Sequence, residues 1–170
     1  MKYKHILAID PSGSFHEGKG TTGYCVFNTE QNVIMLTGCI KATDHALDVS
    51  YWQAHLHLLN KVKRLYPNLI IVIEDYLLYA NKAEQQINSR METSKLIGVI
   101  QQYCWTHKIP YKMQIASEVK SRWTDKILEH KGYIKKVGGN WYSGETCETT
   151  NKHSRDAIRH AVHYNTFRNK

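Results

Sequence analysis

The feature that most constrains the fold is a pair of short apolar runs, each of which ends in an acidic residue. The first run covers residues 6–9 and ends at Asp10, and the second covers residues 69–73 and ends at Glu74. Short continuous runs of this kind are typical of strands buried on both faces of an α/β sheet. Such sheets bind ligands beyond the carboxyl ends of their strands, where Asp10 and Glu74 are expected to lie. The plain alternative for Asp10 is that it caps the following turn.

The segment between these runs predicts their relative position. Strands over residues 23–27 and 33–40, joined by a short turn, predict an antiparallel meander beside the first strand. Residues 46–66 carry apolar side chains at helical spacing. A crossover through this helix makes the strand at residues 69–73 a parallel neighbour of the first strand. Asp10 and Glu74 should therefore meet, and two carboxylates so close repel each other unless a cation is bound.

The second half of the chain is predicted to alternate helix and strand. A loop over residues 76–82 leads into a long helix over residues 83–107, whose apolar band is wide enough to meet another subunit as well as the core. A short strand over residues 111–115 and a basic helix over residues 116–130 follow. Residues 152–167 form the last helix.

The last helix carries candidate site residues in its first turn. His153 and Asp156 are three residues apart and therefore share one face of the helix. His160 lies one turn further along and could extend that face. The plain alternatives are that Asp156 complements the helix dipole and that His153 is a surface histidine.

Residues 132–151 interrupt the pattern of helix and strand. This stretch mixes four glycines with Lys135, Lys136, Trp141 and Tyr142. Glycine, basic and aromatic residues in this mixture are typical of a flexible loop that contacts a nucleic-acid backbone and stacks on bases. An ordinary surface connection with a buried tryptophan explains the composition equally well.

Composition limits the class of protein. A chain of 170 residues, 42% hydrophobic and 22% charged, is expected to fold as a single globular domain. Its net charge of +8 favours a polyanionic partner, nucleic acid before membrane, although a solvated basic surface is the alternative. The four cysteines form no Cys-x-x-Cys pair, which favours reduced thiols in a cytosol. The apolar run near the N-terminus is too short for a signal peptide or a membrane span.

The candidate site residues favour metal-dependent chemistry. Asp10, Glu74, Asp156 and His153 lie on three separate elements, and carboxylates with a histidine suit magnesium or manganese. With a basic surface, the reaction that fits this donor set is hydrolysis of a phosphodiester assisted by two metal ions.

The order of these motifs resembles a known family, the RuvC-type Holliday-junction resolvases of the ribonuclease H-like superfamily. Residues 8–11 with 22–24 resemble the family's first strand and turn, and residues 38–40 resemble its third strand. Ile73-Glu74 resembles the second acidic motif, and residues 80–82 resemble the start of the long helix. His153-x-x-Asp156 resembles the last motif. The small bacteriophage versions of the family are the more similar ones.

The resemblance implies an α/β fold with a five-stranded mixed sheet, three strands antiparallel and then two parallel, flanked by helices. It implies a homodimer that binds two Mg²⁺ ions, or Mn²⁺, and nicks opposed strands of a branched DNA junction in a bacterial or phage-infected cytoplasm. Asp10, Glu74, His153 and Asp156 correspond to its metal ligands, and Lys120 to a basic residue near the scissile phosphate. The residues expected to contact DNA are Lys82, Lys120, Arg122, Lys126, Lys135 and Lys136.

The chain departs from the family's pattern in three places. The loop over residues 14–21 is longer than usual, and residues 132–151 have no clear counterpart. Leu77 stands where many members carry an aromatic wedge, although Tyr76 is adjacent.

Three other functions compete with a junction resolvase. An actin-like or sugar-kinase lobe also begins with a strand, an aspartate and a glycine-bearing turn, but it needs a second lobe. A nucleic-acid-binding module without catalysis would not need the full acidic set. Another nuclease of the same fold, such as one that cuts RNA–DNA hybrids, remains compatible with the paired acids.

Overall fold

The computed structural model describes residues 3–76, 91–144 and 146–167 and is built around a five-stranded mixed sheet. Its strands are β1 (His5–Asp10), β2 (Thr21–Asn28), β3 (Val33–Lys41), β4 (Leu69–Asp75) and β5 (Tyr111–Ile115). The spatial order is β3-β2-β1-β4-β5. β1, β2 and β3 pair antiparallel, and β4 is parallel to both β1 and β5. The predicted topology is therefore confirmed.

Side chains alternate along the central strands and create a core on each face of the sheet. In β1, Ile6 and Ala8 point to one face, while Leu7 and Ile9 point to the other. All four side chains are at most 2% exposed. β1 and β4 are continuous apolar runs because both of their faces are covered.

Helices cover both cores. α1 (Asp48–Leu65) and α2 (Glu92–Thr106) pack over the face that holds Leu7 and Ile9. α3 (Ala116–Arg122), α4 (Asp125–His130) and α5 (Lys152–Phe167) contribute to the opposite core. A short 3-10 helix, Ala42–Asp44, precedes α1. α1 and α5 confirm the helices predicted for residues 46–66 and 152–167.

The prediction of one continuous helix over residues 116–130 is wrong. The chain leaves the helical conformation at Trp123, and Thr124 then caps α4, where its hydroxyl accepts a hydrogen bond from the Ile127 amide. Trp123 and Leu128 are thereby both buried in the core. Burial of these two side chains, rather than helix propensity, decides the local backbone.

Residues 132–151, predicted to be a flexible loop, contain a second, three-stranded antiparallel sheet. Its strands are β6 (Ile134–Val137), β7 (Asn140–Ser143) and β8 (Thr149–Thr150). Gly138 and Gly139 join β6 to β7 with φ angles of 55° and 87°. Two consecutive positive φ angles are the requirement of a tight hairpin turn, and a Gly-Gly pair meets it without strain.

Trp141 of this second sheet supports the alternative of a buried tryptophan. Its ring is partly buried against the main core. The side chains of Lys136 and Arg155 lie over the ring, 5.6 Å and 5.5 Å from its centroid. The ring is therefore engaged by contacts within the chain, and base stacking on it stays a prediction.

Several predictions lie outside the described residues. Residues 77–90 include Leu77, Lys82 and the first residues of the range predicted as a long helix, 83–107. Among the described residues of that range, α2 begins at Glu92, because Met91 before it has a left-handed backbone with a φ of 54°. Among the helices of the described part, none is both long and apolar enough to cross a lipid bilayer.

Candidate metal centre

Three carboxylates converge at the carboxyl edge of the parallel strands. Asp10 is the last residue of β1, Glu74 lies next to the end of β4, and Asp156 is in the first turns of α5. One oxygen from each lies within 4.8 Å of the others. The expectation that Asp10 and Glu74 meet is thus confirmed, and Asp156 joins them.

The strand register explains how the first two acids meet. β1 and β4 pair in parallel with Ile9 opposite Ile73, so the next residues of the two strands, Asp10 and Glu74, emerge side by side. Two buried apolar strands of matching length therefore end at the same level. Once the two strands are known to be parallel neighbours, the sequence is enough to predict that the acids at their ends meet.

Gly23 lets α5 approach the acids. Gly23 pairs with Asp10 across β1 and β2, and a Cβ atom built on it would lie 2.1 Å from the backbone carbonyl of His153. The absence of a side chain therefore allows the first turn of α5 to rest on β2. This contact brings His153 and Asp156 to the edge of the sheet.

Asp10 and His153 form a direct pair. His153 Nδ1 lies 2.8 Å from Asp10 Oδ2. Burial raises the pKa of Asp10, and the charge of Glu74 raises it further, while the hydrogen bond from His153 opposes both. The same hydrogen bond raises the pKa of His153 against the effect of its partial burial.

Lys120 forms ion pairs with both of the other acids. Its Nζ lies 3.1 Å from Glu74 Oε1 and 3.0 Å from Asp156 Oδ2. Partial burial would lower the pKa of Lys120, but the charges of Glu74 and Asp156 outweigh this and raise it. A cationic side chain thus sits between two carboxylates whose side chains are at most 15% exposed.

Arg159 fixes the remaining oxygen of Asp156. Its guanidinium donates to Asp156 Oδ1 and to Asp125 Oδ1, and its Nε donates to the Trp123 carbonyl over 2.7 Å. One planar donor group thereby ties α5 to α4 and orients the acid. Asp156 is 2% exposed and so depends on such partners.

His160 is the site residue that sequence reasoning undervalued. It is 0% exposed, and its Nε2 lies 2.8 Å from Glu74 Oε2. Burial alone would raise the pKa of Glu74, but the hydrogen bond and charge of His160, together with Lys120, lower it. The available signal was the spacing, because His160 follows Asp156 by four residues and lies on the same face of α5.

A buried polar network supports the loop that follows Asp10. The amide of Ser12 donates to Thr22 Oγ1 over 3.0 Å, and the Tyr51 hydroxyl donates to the Ser12 carbonyl over 2.5 Å. His55 Nε2 lies 2.8 Å from Thr22 Oγ1. Burial lowers the pKa of His55 to about 4, so its ring is neutral at physiological pH. α1 thereby anchors the loop from beneath.

The donor set of the centre fits a hard divalent cation. Asp10, Glu74 and Asp156 offer carboxylate oxygens at short mutual separation, and oxygen ligands are those that magnesium and manganese prefer. Three largely buried acids so close require cationic compensation, which Lys120 and Arg159 supply only in part. His153 lies at the border of the group through Asp10, and its side chain is 38% exposed.

The cations expected to contact DNA are distributed unevenly. Lys120 belongs to the acidic centre. Arg122 ends α3, and Lys126 is exposed on α4. Lys135 and Lys136 are exposed on β6, well apart in sequence from the acids. Lys82 lies outside the described residues.

The strand order and the placement of acids on β1, β4 and a C-terminal helix define a ribonuclease H-like fold. Among solved structures, the chain is similar to the RuvC of Thermus thermophilus in complex with a Holliday junction substrate. That match has a TM-score of 0.62 and 13% identity, and it covers 94% of this chain and 91% of that one. A second structure of Thermus thermophilus RuvC gives a TM-score of 0.60 at 12% identity, with coverage of 93% and 91%.

These likenesses show that the chain has the RuvC fold over nearly its whole length. No protein-family model matches the sequence. No curated protein matches it either.

Proposed function

We propose that the chain is a metal-dependent endonuclease that cleaves four-way or otherwise branched DNA junctions. The observation that carries the proposal is the convergence of Asp10, Glu74 and Asp156 within 4.8 Å at the edge of a RuvC-like sheet. A buried acidic cluster of this kind is costly unless a cation completes it. Its position at the carboxyl ends of parallel strands is where ligands of such sheets bind.

Asp10, Glu74, Asp156 and His153 would hold two Mg²⁺ ions, or Mn²⁺. When bound, such ions supply a nucleophilic water at neutral pH and stabilise the charge on the phosphate and leaving oxygen. The chain's own residues bind and orient the ions, and His160 and Arg159 fix two of the carboxylates. Lys120 is placed to offer its ammonium group to a phosphate once the acids are neutralised by metal.

The proposed substrate follows from charge and from fold. The chain carries a net charge of +8, which favours a polyanion. The similar RuvC structure is in complex with a Holliday junction, and we propose the same class of substrate here. Arg122, Lys126, Lys135 and Lys136, with Lys82, would contact the phosphate backbone around the site.

A homodimer is part of the proposal because two opposed strands of a junction need two centres. α2 buries Leu96, Ile97 and Ile100 against the sheet, yet Trp105 near its end is 76% exposed. Exposed aromatic side chains of this size are common at interfaces between subunits. We propose that this helix and the segment before it meet a second copy of the chain.

The proposed setting is the cytoplasm of a bacterial or phage-infected cell. All four cysteines are free thiols, and burial raises the pKa of Cys104 to about 11. Unpaired thiols are typical of a reducing compartment. We also propose that residues 1–170 form one nuclease domain, since Ile134 of the second sheet belongs to the same core as β1.

The proposal is tested by incubating the protein with Mg²⁺ and a labelled four-way junction, beside linear duplex and an RNA–DNA hybrid. We expect paired nicks across the junction. Asp10→Asn and Glu74→Gln should lose cleavage and keep DNA binding, because each removes a metal ligand and an anionic charge. Glu30→Gln, which changes a surface acid paired with Lys4, is the matched control and should cut normally.

Two other results would redirect the proposal. Cleavage of the hybrid or of plain duplex in preference to the junction would indicate a different nuclease of the same fold. Tight junction binding without cleavage under any divalent metal would indicate a binding module.

A further inference from the structure

We propose that Gln114, acting through His160, positions the carboxylate of Glu74 for metal binding. The inference rests on the proposed metal-dependent function. It assigns a role to two residues that lie behind the acidic centre.

The strand register places Gln114 beside Glu74. The two residues are direct partners in the parallel pairing of β4 and β5, so their side chains point to the same face of the sheet. α5 lies over that face and inserts His160 between them. His160 Nε2 lies 2.8 Å from Glu74 Oε2, and His160 Nδ1 lies 2.8 Å from Gln114 Oε1.

Burial limits His160 to a positioning role. With 0% of its surface exposed, it cannot touch a DNA phosphate. An ionised carboxylate only accepts hydrogen bonds, so the proton on Nε2 must point to Glu74. Nδ1 then needs a partner that can accept or donate. A glutamine amide offers both when it turns about its terminal bond, so Gln114 satisfies Nδ1 in either state of the ring.

This chain of contacts gives the two carboxylate oxygens of Glu74 different roles. Oε2 is held by His160, whereas Oε1 faces Lys120 at 3.1 Å and is the oxygen available to a cation. A free glutamate side chain loses conformational entropy when it binds a metal. Anchoring one oxygen through β5 and α5 removes part of that cost and fixes the direction of the other oxygen.

The test measures Mn²⁺ binding by calorimetry and junction cleavage for Gln114→Met, His160→Gln and the double variant. Gln114→Met keeps the side-chain length but removes both hydrogen-bonding functions. It should weaken Mn²⁺ binding about tenfold and lower kcat, with KM for the junction near the wild-type value. Tm in EDTA should fall as well, because Nδ1 of the buried His160 loses its partner. In His160→Gln the new amide can still donate to Glu74 but no longer links to Gln114. Adding Gln114→Met to it should therefore change little.

The control is Gln102→Met, the same substitution at an exposed position on α2. A Mn²⁺ affinity for Gln114→Met within about twofold of wild type would overturn the proposal. So would an equal loss in the wild-type and His160→Gln backgrounds, because Gln114 would then act by another route. If Gln114→Met does not fold, Gln114→Leu is measured in its place with the same expectations.

The design also separates this inference from the proposed function. Wild-type protein that cuts no DNA, while its Mn²⁺ affinity still depends on Glu74 and Gln114, would contradict only the nuclease. Normal junction cleavage with unchanged Mn²⁺ affinity in the Gln114 variants would contradict only the positioning role.

Discussion

At the scale of single residues, each acid of the centre has its own basic partner on α5. Asp10 has His153, Glu74 has His160 and Asp156 has Arg159. Lys120 lies between Glu74 and Asp156 as a cation shared by both. The centre is thus partly compensated without metal. Of the four basic side chains, Lys120 is the one that bridges two acids of the centre itself, and a metal ion would compete with it.

Lys120→Met should therefore reveal how much the acids rely on Lys120. Removing a cation from two largely buried carboxylates should lower the unfolding free energy in EDTA by about 1–2 kcal/mol, discounted for the partial exposure of the lysine. Saturating Mn²⁺ should restore most of the loss, because the ion replaces the missing charge. Thermal unfolding with and without Mn²⁺ measures both. Lys126→Met, on exposed α4, should show neither effect, and an EDTA Tm equal to wild type for Lys120→Met would contradict the role.

His55 makes stability depend on pH. Its pKa lies at about 4 in the folded chain against an ordinary 6.5, because burial disfavours the charged ring. The unfolded chain thus binds a proton in a range where the native chain does not. Stability from this residue is complete above about pH 6.5 and falls as the pH is lowered toward 4, by about 3 kcal/mol in all.

Urea unfolding at a series of pH values tests this effect. His55→Gln should flatten the decline between pH 6.5 and 4 relative to wild type, although the variant should be less stable at neutral pH because it disturbs the contact with Thr22. His57→Gln, two residues away and exposed, should keep the wild-type slope. Equal slopes for His55→Gln and wild type would show that His55 is not the group involved.

At the scale of elements, the position of α5 decides whether the centre forms. Gly23→Ala places a Cβ atom 2.1 Å from the His153 carbonyl and must push the first turn of α5 away from β2. We expect lower stability, by at least about 1 kcal/mol, and weaker Mn²⁺ binding, because His153 and Asp156 move from the sheet edge. Gly98→Ala is the matched control. Its Cβ meets no atom within 4 Å, and alanine is the better helix residue, so that variant should be as stable as wild type or more so. Unchanged Mn²⁺ affinity in Gly23→Ala would show that α5 tolerates the shift.

The elements also show why sequence reasoning succeeded in some places and not in others. Asp10 and Glu74 were predictable because each ends an uninterrupted apolar run, and parallel pairing of buried strands leaves one arrangement of their ends. His160 was not, because its importance comes from Glu74 and Gln114 on strands 86 and 46 residues away. The hairpin at Gly138-Gly139 had a local signal, the Gly-Gly pair between strand-forming residues, which the glycine-rich composition obscured.

At the scale of the whole molecule, the net charge is +8, but the cations around the acidic centre are not free to attract a polyanion. Lys120, Arg155 and Arg159 are all engaged in ion pairs with acids of the chain. These cations position the centre and contribute little free charge toward a polyanion. Attraction of the proposed DNA substrate would then come from exposed cations further out, of which Arg122, Lys126 and Lys135 are among the described ones.

If exposed cations away from the centre attract the DNA, binding should depend on salt, and single lysine substitutions should change that dependence. Binding of a junction to catalytically inactive Asp10→Asn should weaken steeply with salt, because each phosphate contact releases a counterion and contributes about −0.9 to the slope of log K against log salt. Lys126→Ala should reduce that slope by about 1. Lys61→Ala removes another exposed charge, from α1 on the opposite face of the sheet, and should leave the slope unchanged.

If both variants lower the slope equally, DNA contacts both faces of the sheet and the assignment of α4 to the DNA side is wrong. If neither does, α4 lies outside the contact surface, and the attraction must be assigned to β6 or to cations beyond the described residues.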